Sequence, residues 1–219
     1  MIITARDEAA GIVATIEALA RALPGATIFL ADDGSRDATA ALAAGKGARV
    51  LGDGRRRGKG GAATLAARAA LELGGESAIY LLCDGDLRAS AGQLVALRDA
   101  VAGGEADLAV AAFARRAGGG FGIAVGFARW MAQRRCGVQF TAPISGQRAL
   151  RGDTLARVLP FAPRFGMEVA MTIDTVRGGG RVLEIPLALE HRATGRSLGG
   201  FAHRGRQLLD FAAVYASRR

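Results

Sequence analysis

Two aspartates flanking one glycine, Asp84-Gly85-Asp86, end the apolar run Ala78 to Cys83. If that run is a strand, residues two apart face one side of it, and both carboxylates present hard oxygen ligands together. Such a pair suits Mg2+ or Mn2+, ions that often bridge carboxylates and a substrate diphosphate. An acidic turn with Gly85 supplying the bend is the plainer alternative. A second pair, Asp32-Asp33, ends the run Thr27 to Ala31. A carboxylate there can accept hydrogen bonds from a nucleobase N–H or a ribose hydroxyl, or it can cap the turn Asp32-Asp33-Gly34-Ser35. The stretch Arg55-Arg56-Arg57-Gly58-Lys59-Gly60-Gly61 precedes an alanine-rich helical pattern. It sets cations beside free backbone N–H groups at the positive end of a helix dipole, which makes a phosphate cradle. It is no Walker A loop, because Gly60 stands where Ser or Thr would bind magnesium. Glu168, near the start of a helix, is the candidate general base, with a helix-terminal structural role as its alternative. Asp174 lies roughly 120° further round that helix and cannot share its face.

These residues need a scaffold, and the chain supplies a regular one. Short apolar runs alternate with helical patterns, the signature of βαβ units and a largely parallel sheet. Strands are expected at Ile2 to Thr4, Thr27 to Ala31, Arg49 to Leu51, Ala78 to Cys83, Leu108 to Phe113 and Val182 to Leu189. Helices are expected at Gly11 to Ala22, after Asp37 through Ala44, from Gly61 to about Leu73, from about Ser90 to Val101, and at Gly166 to Val176 and Phe201 to Tyr215. Asp37 or Ser35 can cap the second of these. Residues 115 to 140 break the alternation: Gly118, Gly119 and Gly120 precede an amphipathic stretch with Phe121, Phe127, Trp130 and Met131 among Arg129, Arg134 and Arg135. It reads as a lid, a packing face, a dimer contact or a lipid-facing segment.

Composition narrows the partners. The 219 residues suit one domain, and 50% hydrophobic with 22% charged residues is an ordinary globular balance. The net charge of +9 favours anionic partners, yet aromatics at 5% leave few stacking platforms for single-stranded nucleic acid, so none is expected as partner. Two cysteines, Cys83 and Cys136, make no disulfide framework, and two histidines exclude a poly-histidine zinc site. The N-terminus lacks a signal-peptide pattern and no run reaches the roughly 18 to 20 apolar residues of a span. The expectation is a cytoplasmic protein, at most peripheral at the inner face of the membrane.

Taken in order, the motifs resemble family 2 glycosyltransferases of the GT-A fold, near the dolichol-phosphate-mannose-synthase-like branch. Thr27 to Thr39 is similar to the family's strand followed by Asp-Asp-Gly-Ser-x-Asp-x-Thr, and Gly58-Lys59-Gly60-Gly61-Ala62 to its Gly-Lys-Gly-x-Ala helix start. Asp84-Gly85-Asp86 matches its metal motif. Ser145-Gly146-Gln147-Arg148-Ala149 and Phe165-Gly166-Met167-Glu168 resemble acceptor-side segments, and Arg192 to Ser197 its late Arg-x-x-Gly-x-Ser loop. Two departures stand out. The usual Pro-x-Tyr-Asn-Glu of the first strand is Thr4-Ala5-Arg6-Asp7-Glu8, so only Glu8 carries over, and Leu198 follows the late serine in place of lysine.

The resemblance implies an α/β, three-layer α/β/α GT-A domain over 1–219, its donor half about 1–113 and its acceptor half about 114–219. It implies an inverting transfer from a UDP- or GDP-sugar, with Mg2+ or Mn2+ on the departing diphosphate. Glu8, Asp32, Asp33, Arg57, Lys59, Asp84 and Gly85 are then donor-binding residues. Asp84, Asp86 and His191 are metal ligands, and Asp86, Glu168 and Arg192 are catalytic. Gly146, Gln147, Arg192 and Arg196 take the acceptor. A lipid phosphate such as a polyprenyl phosphate is the favoured acceptor, held by Arg192 with Arg196 or Arg204, and a soluble hydroxyl compound deprotonated by Glu168 is the alternative. A homodimer is a further option. A nucleotidyltransferase is the rival enzyme class, but it would carry its glycines and basic residue straight after the first strand, where Arg6-Asp7-Glu8 stands. A basic non-catalytic binder leaves Asp32, Asp33, Asp84 and Asp86 without a role.

Overall fold

The computed structural model describes residues 1–113, 123–190 and 210–218. Seven strands form one sheet: β1 (Ile2–Ala5), β2 (Phe29–Asp32), β3 (Arg49–Leu51), β4 (Ile79–Asp84), β5 (Leu108–Phe113), β6 (Arg148–Arg151) and β7 (Val182–Leu187). Their order is β3-β2-β1-β4-β6-β5-β7. Every neighbouring pair is parallel except the two that β6 makes, with β4 and with β5. The parallel strands read as continuous apolar runs because helices cover both faces, so successive residues such as Ile2 and Ile3 both find a core.

On one face Ile3, Leu30, Leu81 and Ala109 pack against α1 (Ile12–Ala22), a 3-10 turn over Arg88–Leu94 and α4 (Val95–Ala102). On the other, Ile2, Phe29, Tyr80, Leu82 and Val110 pack against α3 (Lys59–Gly74), α6 (Gly152–Val158) and α7 (Met167–Arg177). The short α2 (Thr39–Gly45) completes the first half. α5 (Ile123–Cys136), α7 and a helix over 210–217 (α8) share a third cluster with Ala128, Met131, Val169, Ile173, Phe211 and Val214. This is the expected three-layer α/β/α architecture with a mostly parallel sheet.

The expected strands all occur, and the helices shift at their ends by a residue or two where described, except that the one expected from about Ser90 to Val101 is the 3-10 turn Arg88–Leu94 followed by α4. α2 departs in its cap: Ala38 is the N-cap, and Asp37, one residue earlier, accepts from Thr39 N at 3.0 Å. Among the helices and strands, α5, α6 and the antiparallel β6 were not expected: α5 falls in the amphipathic stretch, and the four residues Arg-Ala-Leu-Arg of β6 carry charge at both ends and form no apolar run. The expected helix from Phe201 lies partly outside the described residues. Of the amphipathic stretch, Phe121 also lies outside them, Phe127 stacks on Trp130 at 5.6 Å, and Trp130 meets Tyr215 of α8 at 5.2 Å. Trp130 nonetheless remains 50% exposed. Among the described residues no helix is long and apolar enough to cross a membrane.

Candidate active site

The carboxyl ends of β1, β2 and β4 come together on one edge of the sheet, where open α/β folds place their ligands. Two glycine approaches bring the rest of the site there. A Cβ on Gly60 would lie 2.0 Å from the Ala162 carbonyl oxygen, so only glycine lets the 161–164 segment rest on the first turn of α3 and deliver α7 beside Lys59. A Cβ on Gly146 would lie 2.6 Å from Lys59 Nζ and 2.8 Å from Asp84 Oδ2, so the chain entering β6 passes directly over that pair.

At the centre Lys59 Nζ bridges two carboxylates, Asp84 Oδ1 at 2.6 Å and Glu168 Oε1 at 2.8 Å. Asp84 also accepts from Thr4 Oγ1 at 3.1 Å and from Gln147 Nε2 at 2.8 Å. Gln147 is oriented in turn by the Ser145 hydroxyl, which donates to its Oε1 at 3.0 Å. Burial opposes ionisation of Asp84, but the Lys59 charge and the hydrogen bonds from Lys59, Gln147 and Thr4 outweigh it and hold the carboxyl below its usual range. Burial likewise works against the Lys59 ammonium, and the attraction of Asp84 and then Glu168 reverses the sign, so its proton is held more tightly than in water.

The donor-side residues take more structural parts than the sequence suggested. Asp32 is buried and accepts from Ser35 N at 3.2 Å as well as from the Ser35 hydroxyl, the turn-closing alternative. Asp33 Oδ1 accepts from Arg57 N and Gly58 N, each at 2.7 Å, and so braces the basic loop from below. Arg57 pairs with Asp53 at 2.7 Å, and Lys59 points to the carboxylates of Asp84 and Glu168. The Glu8 carbonyl accepts from Gly11 N and Ile12 N at 3.0 Å, opening α1. Gly85 is closely packed, a Cβ there lying in tight contact with Ala5 Cβ at 3.0 Å and in ordinary contact with Glu8 Cβ at 3.6 Å. Asp174 pairs with Arg218 at 2.6 Å, away from Glu168, as the helical spacing required. His191, Arg192, Arg196 and Arg204 lie outside the described residues.

Sequence reasoning passed over two groups here. Arg148 is wholly buried, and Thr172, one helical turn past Glu168, both accepts from Arg148 and donates to the Glu168 carbonyl. Thr172 was visible as an i, i+4 partner of Glu168. Arg148 shares a strand face with Leu150, a signal readable only once β6 is known to be a strand.

Among the described residues no three His, Cys, Asp or Glu side chains stand together as a metal cage. Hard oxygen donors are present all the same: Asp86, in the turn after β4, and Asp84, whose oxygens currently face Lys59, Thr4 and Gln147. One or two carboxylates suffice for a small divalent ion held mainly by substrate phosphates, so the donor set fits such an ion.

Residues 1–144 match the family model of glycosyl transferase family 2. The chain belongs to glycosyl transferase family 2. Comparison with curated protein sequences gave no match. Among solved structures, this family 2 chain is similar to glucosyl-3-phosphoglycerate synthase from Mycobacterium tuberculosis. The complex with phosphoglyceric acid superposes with a TM-score of 0.77 at 27% identity, covering 99% of this chain and 78% of that one. A complex of the same synthase with Mn2+, uridine diphosphate and glucosyl-3-phosphoglycerate gives 0.77 at 26% identity, again with 99% and 78% covered. One with Mn2+, UDP-glucose and glycerol 3-phosphate gives the same values. The three-layer sheet is therefore a GT-A fold, and the chain is a glycosyltransferase.

Proposed function

We propose that this family 2 enzyme transfers a sugar from a UDP-sugar, with a divalent cation, to a hydroxyl of a small phosphorylated acceptor. The observation that carries the acceptor class is Glu168: a carboxylate 4% exposed, in the first turn of α7, 2.8 Å from the lysine that links it to Asp84. A hydroxyl nucleophile needs a base, whereas a lipid phosphate needs none. Similarity to a synthase crystallised with UDP-glucose, Mn2+ and phosphoglyceric acid or glycerol 3-phosphate supports donor, ion and acceptor class together.

In this reading Asp86, with Asp84, would hold the cation, which would supply positive charge to the departing diphosphate. Asp33 fixes the basic loop so that Arg55, Arg56 and the first N–H groups of α3 face the phosphates. Lys59 turns from the carboxylates toward the diphosphate, and Glu168, released from its ion pair, takes the proton of the attacking hydroxyl. The acceptor oxygen bonds to the anomeric carbon as the bond from that carbon to UDP breaks. A single displacement of this kind inverts the configuration there. Gly146 and Gln147 line the acceptor side, joined by Arg192 and Arg196, and a cytoplasmic location agrees with a soluble acceptor.

The lipid-phosphate reading keeps one observation in its favour, the half-exposed Trp130 on a helix bearing Arg129, Arg134 and Arg135. A thermal-shift and transfer panel separates the two. UDP is expected to raise the Tm only with Mn2+ present, Asp86→Ala to abolish that shift, and UDP-glucose to be consumed with glycerol 3-phosphate or 3-phosphoglycerate. No shift with UDP and Mn2+ would sink the donor assignment. Turnover with polyprenyl phosphate alone would hand the acceptor to the lipid reading.

A further inference from the structure

Arg148 is 0% exposed at the start of β6, in the middle of the sheet, and it is among the largest fully buried side chains of the chain. Its guanidinium donates from Nε to the Ser145 carbonyl at 2.8 Å, from Nη2 to the Pro143 carbonyl at 3.1 Å and from Nη1 to Thr172 Oγ1 at 2.8 Å. All three partners are neutral oxygens. A buried cation without a carboxylate in direct contact is expensive, and apolar residues of similar volume are ordinarily the more stable choice. Burial pulls its pKa down to about 10, with Glu168 and then Glu184 acting against that fall, so it stays charged at neutral pH.

Two features give that charge a use. The carbonyls it holds belong to the segment that carries Gly146 over the Lys59–Asp84 pair and sets Gln147 on Asp84. The site also places two carboxylates, Asp84 and Glu168, on the single ammonium of Lys59, while Thr172 links Arg148 to the Glu168 carbonyl. Glu184, the other acidic group facing Arg148, is engaged by Thr141 and Ala142 of the same segment at 2.6 to 2.7 Å.

We propose that Arg148 is a positioning residue of the transferase. From inside the sheet it fixes the 143–147 segment against Asp84, and it supplies the positive charge beside Glu168 that lets Lys59 leave that carboxylate for the donor's diphosphate. The second clause rests on the proposed function, and the first does not.

The test is a double-mutant cycle on Arg148→Met, Glu168→Gln and the pair, read first by thermal unfolding without ligand. Glu168→Gln alone lowers the Tm, because it breaks the contact with Lys59. In the Arg148→Met background, where one cation faces two carboxylates, the same change instead raises it, recovering several degrees of a loss of about 6 to 10 °C. If Glu168→Gln costs the same in both backgrounds, Arg148 is a hydrogen-bonding strut and its electrostatic role is refuted. Should Arg148→Met not fold, a cooperative transition regained in the double variant supports the proposal, and its continued absence overturns it.

The second readout is UDP affinity with Mn2+ by calorimetry. Arg148→Met weakens it about tenfold or more while Arg148→Lys, which keeps the charge, stays within about threefold. Equal affinity in wild type and Arg148→Met would overturn the charge-release step. Failure of the wild type to bind UDP would refute the proposed donor, and the ligand-free cycle would still decide the role of Arg148.

Discussion

Gly146→Ala puts a methyl group into the centre of the site with no backbone strain, since the φ of Gly146 lies outside the left-handed region. The new carbon would sit 2.6 Å from Lys59 Nζ and 2.8 Å from Asp84 Oδ2, against an ordinary contact of 3.4 Å or more. Both atoms end flexible side chains, so they yield and the backbone does not. If the 2.6 Å separation of Nζ and Oδ1 opens by about 1 Å, their attraction falls by about 2 kcal/mol at an effective dielectric near 20. The side chains are 22% and 34% exposed, and solvent screening brings this to about 1 kcal/mol. The Tm should drop by about 2 to 4 °C. Turnover should suffer far more, because a displacement of about 1 Å in a positioned group costs on the order of 100-fold. Calorimetric unfolding and UDP-glucose consumption with Mn2+ measure the two effects side by side. Turnover within about twofold of wild type would show that the Lys59–Asp84 geometry plays no part in the reaction. A Tm loss above about 10 °C would show that the backbone, and not the side-chain ends, meets the methyl.

Three more outcomes are expected from the same contacts. Lys59→Met strands two carboxylates and should destabilise the fold by about 3 kcal/mol, lowering the Tm by about 6 to 12 °C in ligand-free protein. Asp33→Ala removes the acceptor shared by Arg57 N and Gly58 N, so proteolysis should cut the 53–58 loop faster and UDP affinity should fall with the global Tm little changed. The depressed carboxyl of Asp84 contributes stability that is fully present above its unfolded value near 3.8 and is lost as pH falls through the lower folded value. The Tm gap between wild type and Asp84→Asn should therefore be the same at pH 7 and 5.5 and close only below about pH 3.8, and a gap that already narrows near pH 5 would contradict that sign.

The sequence disclosed what repeats and what is local. Parallel strands buried on both faces are continuous apolar runs, which made β1, β2, β4 and β5 readable, and glycine-flanked polar motifs fall at their carboxyl ends because turns need such residues. β6 escaped because its buried residues, Arg148, Ala149 and Leu150, include an arginine, and a buried arginine looks like surface until its neighbours are known. The carboxylates were found but their partners were not. Lys59 and Asp84 are 25 residues apart and Glu168 lies 84 beyond Asp84, so only the close approach at Gly60 and Gly146 reveals that they share one ammonium. For the same reason the ion pairs of Lys59 could not be read in sequence: a lysine opening a helix advertises a cation and conceals its direction. Asp32 had two readings in sequence, and its hydrogen bonds from Ser35 supply the turn contact that one of them expected.

The antiparallel setting of β6 bears on how enzymes of this kind can be recombined. Running opposite to its neighbours, β6 begins at the edge where β4 ends, and its entry segment contributes Gln147 to a carboxylate encoded more than sixty residues earlier. A chimera that grafted the acceptor-side sequence of a relative after β5 would therefore import a foreign partner for Asp84 along with the new acceptor pocket. A graft that retained residues 143–148 of the host and exchanged only the chain beyond β6 would leave that contact intact. Exchange of acceptor preference by shuffling thus has a natural seam after β6, not at the midpoint of the chain.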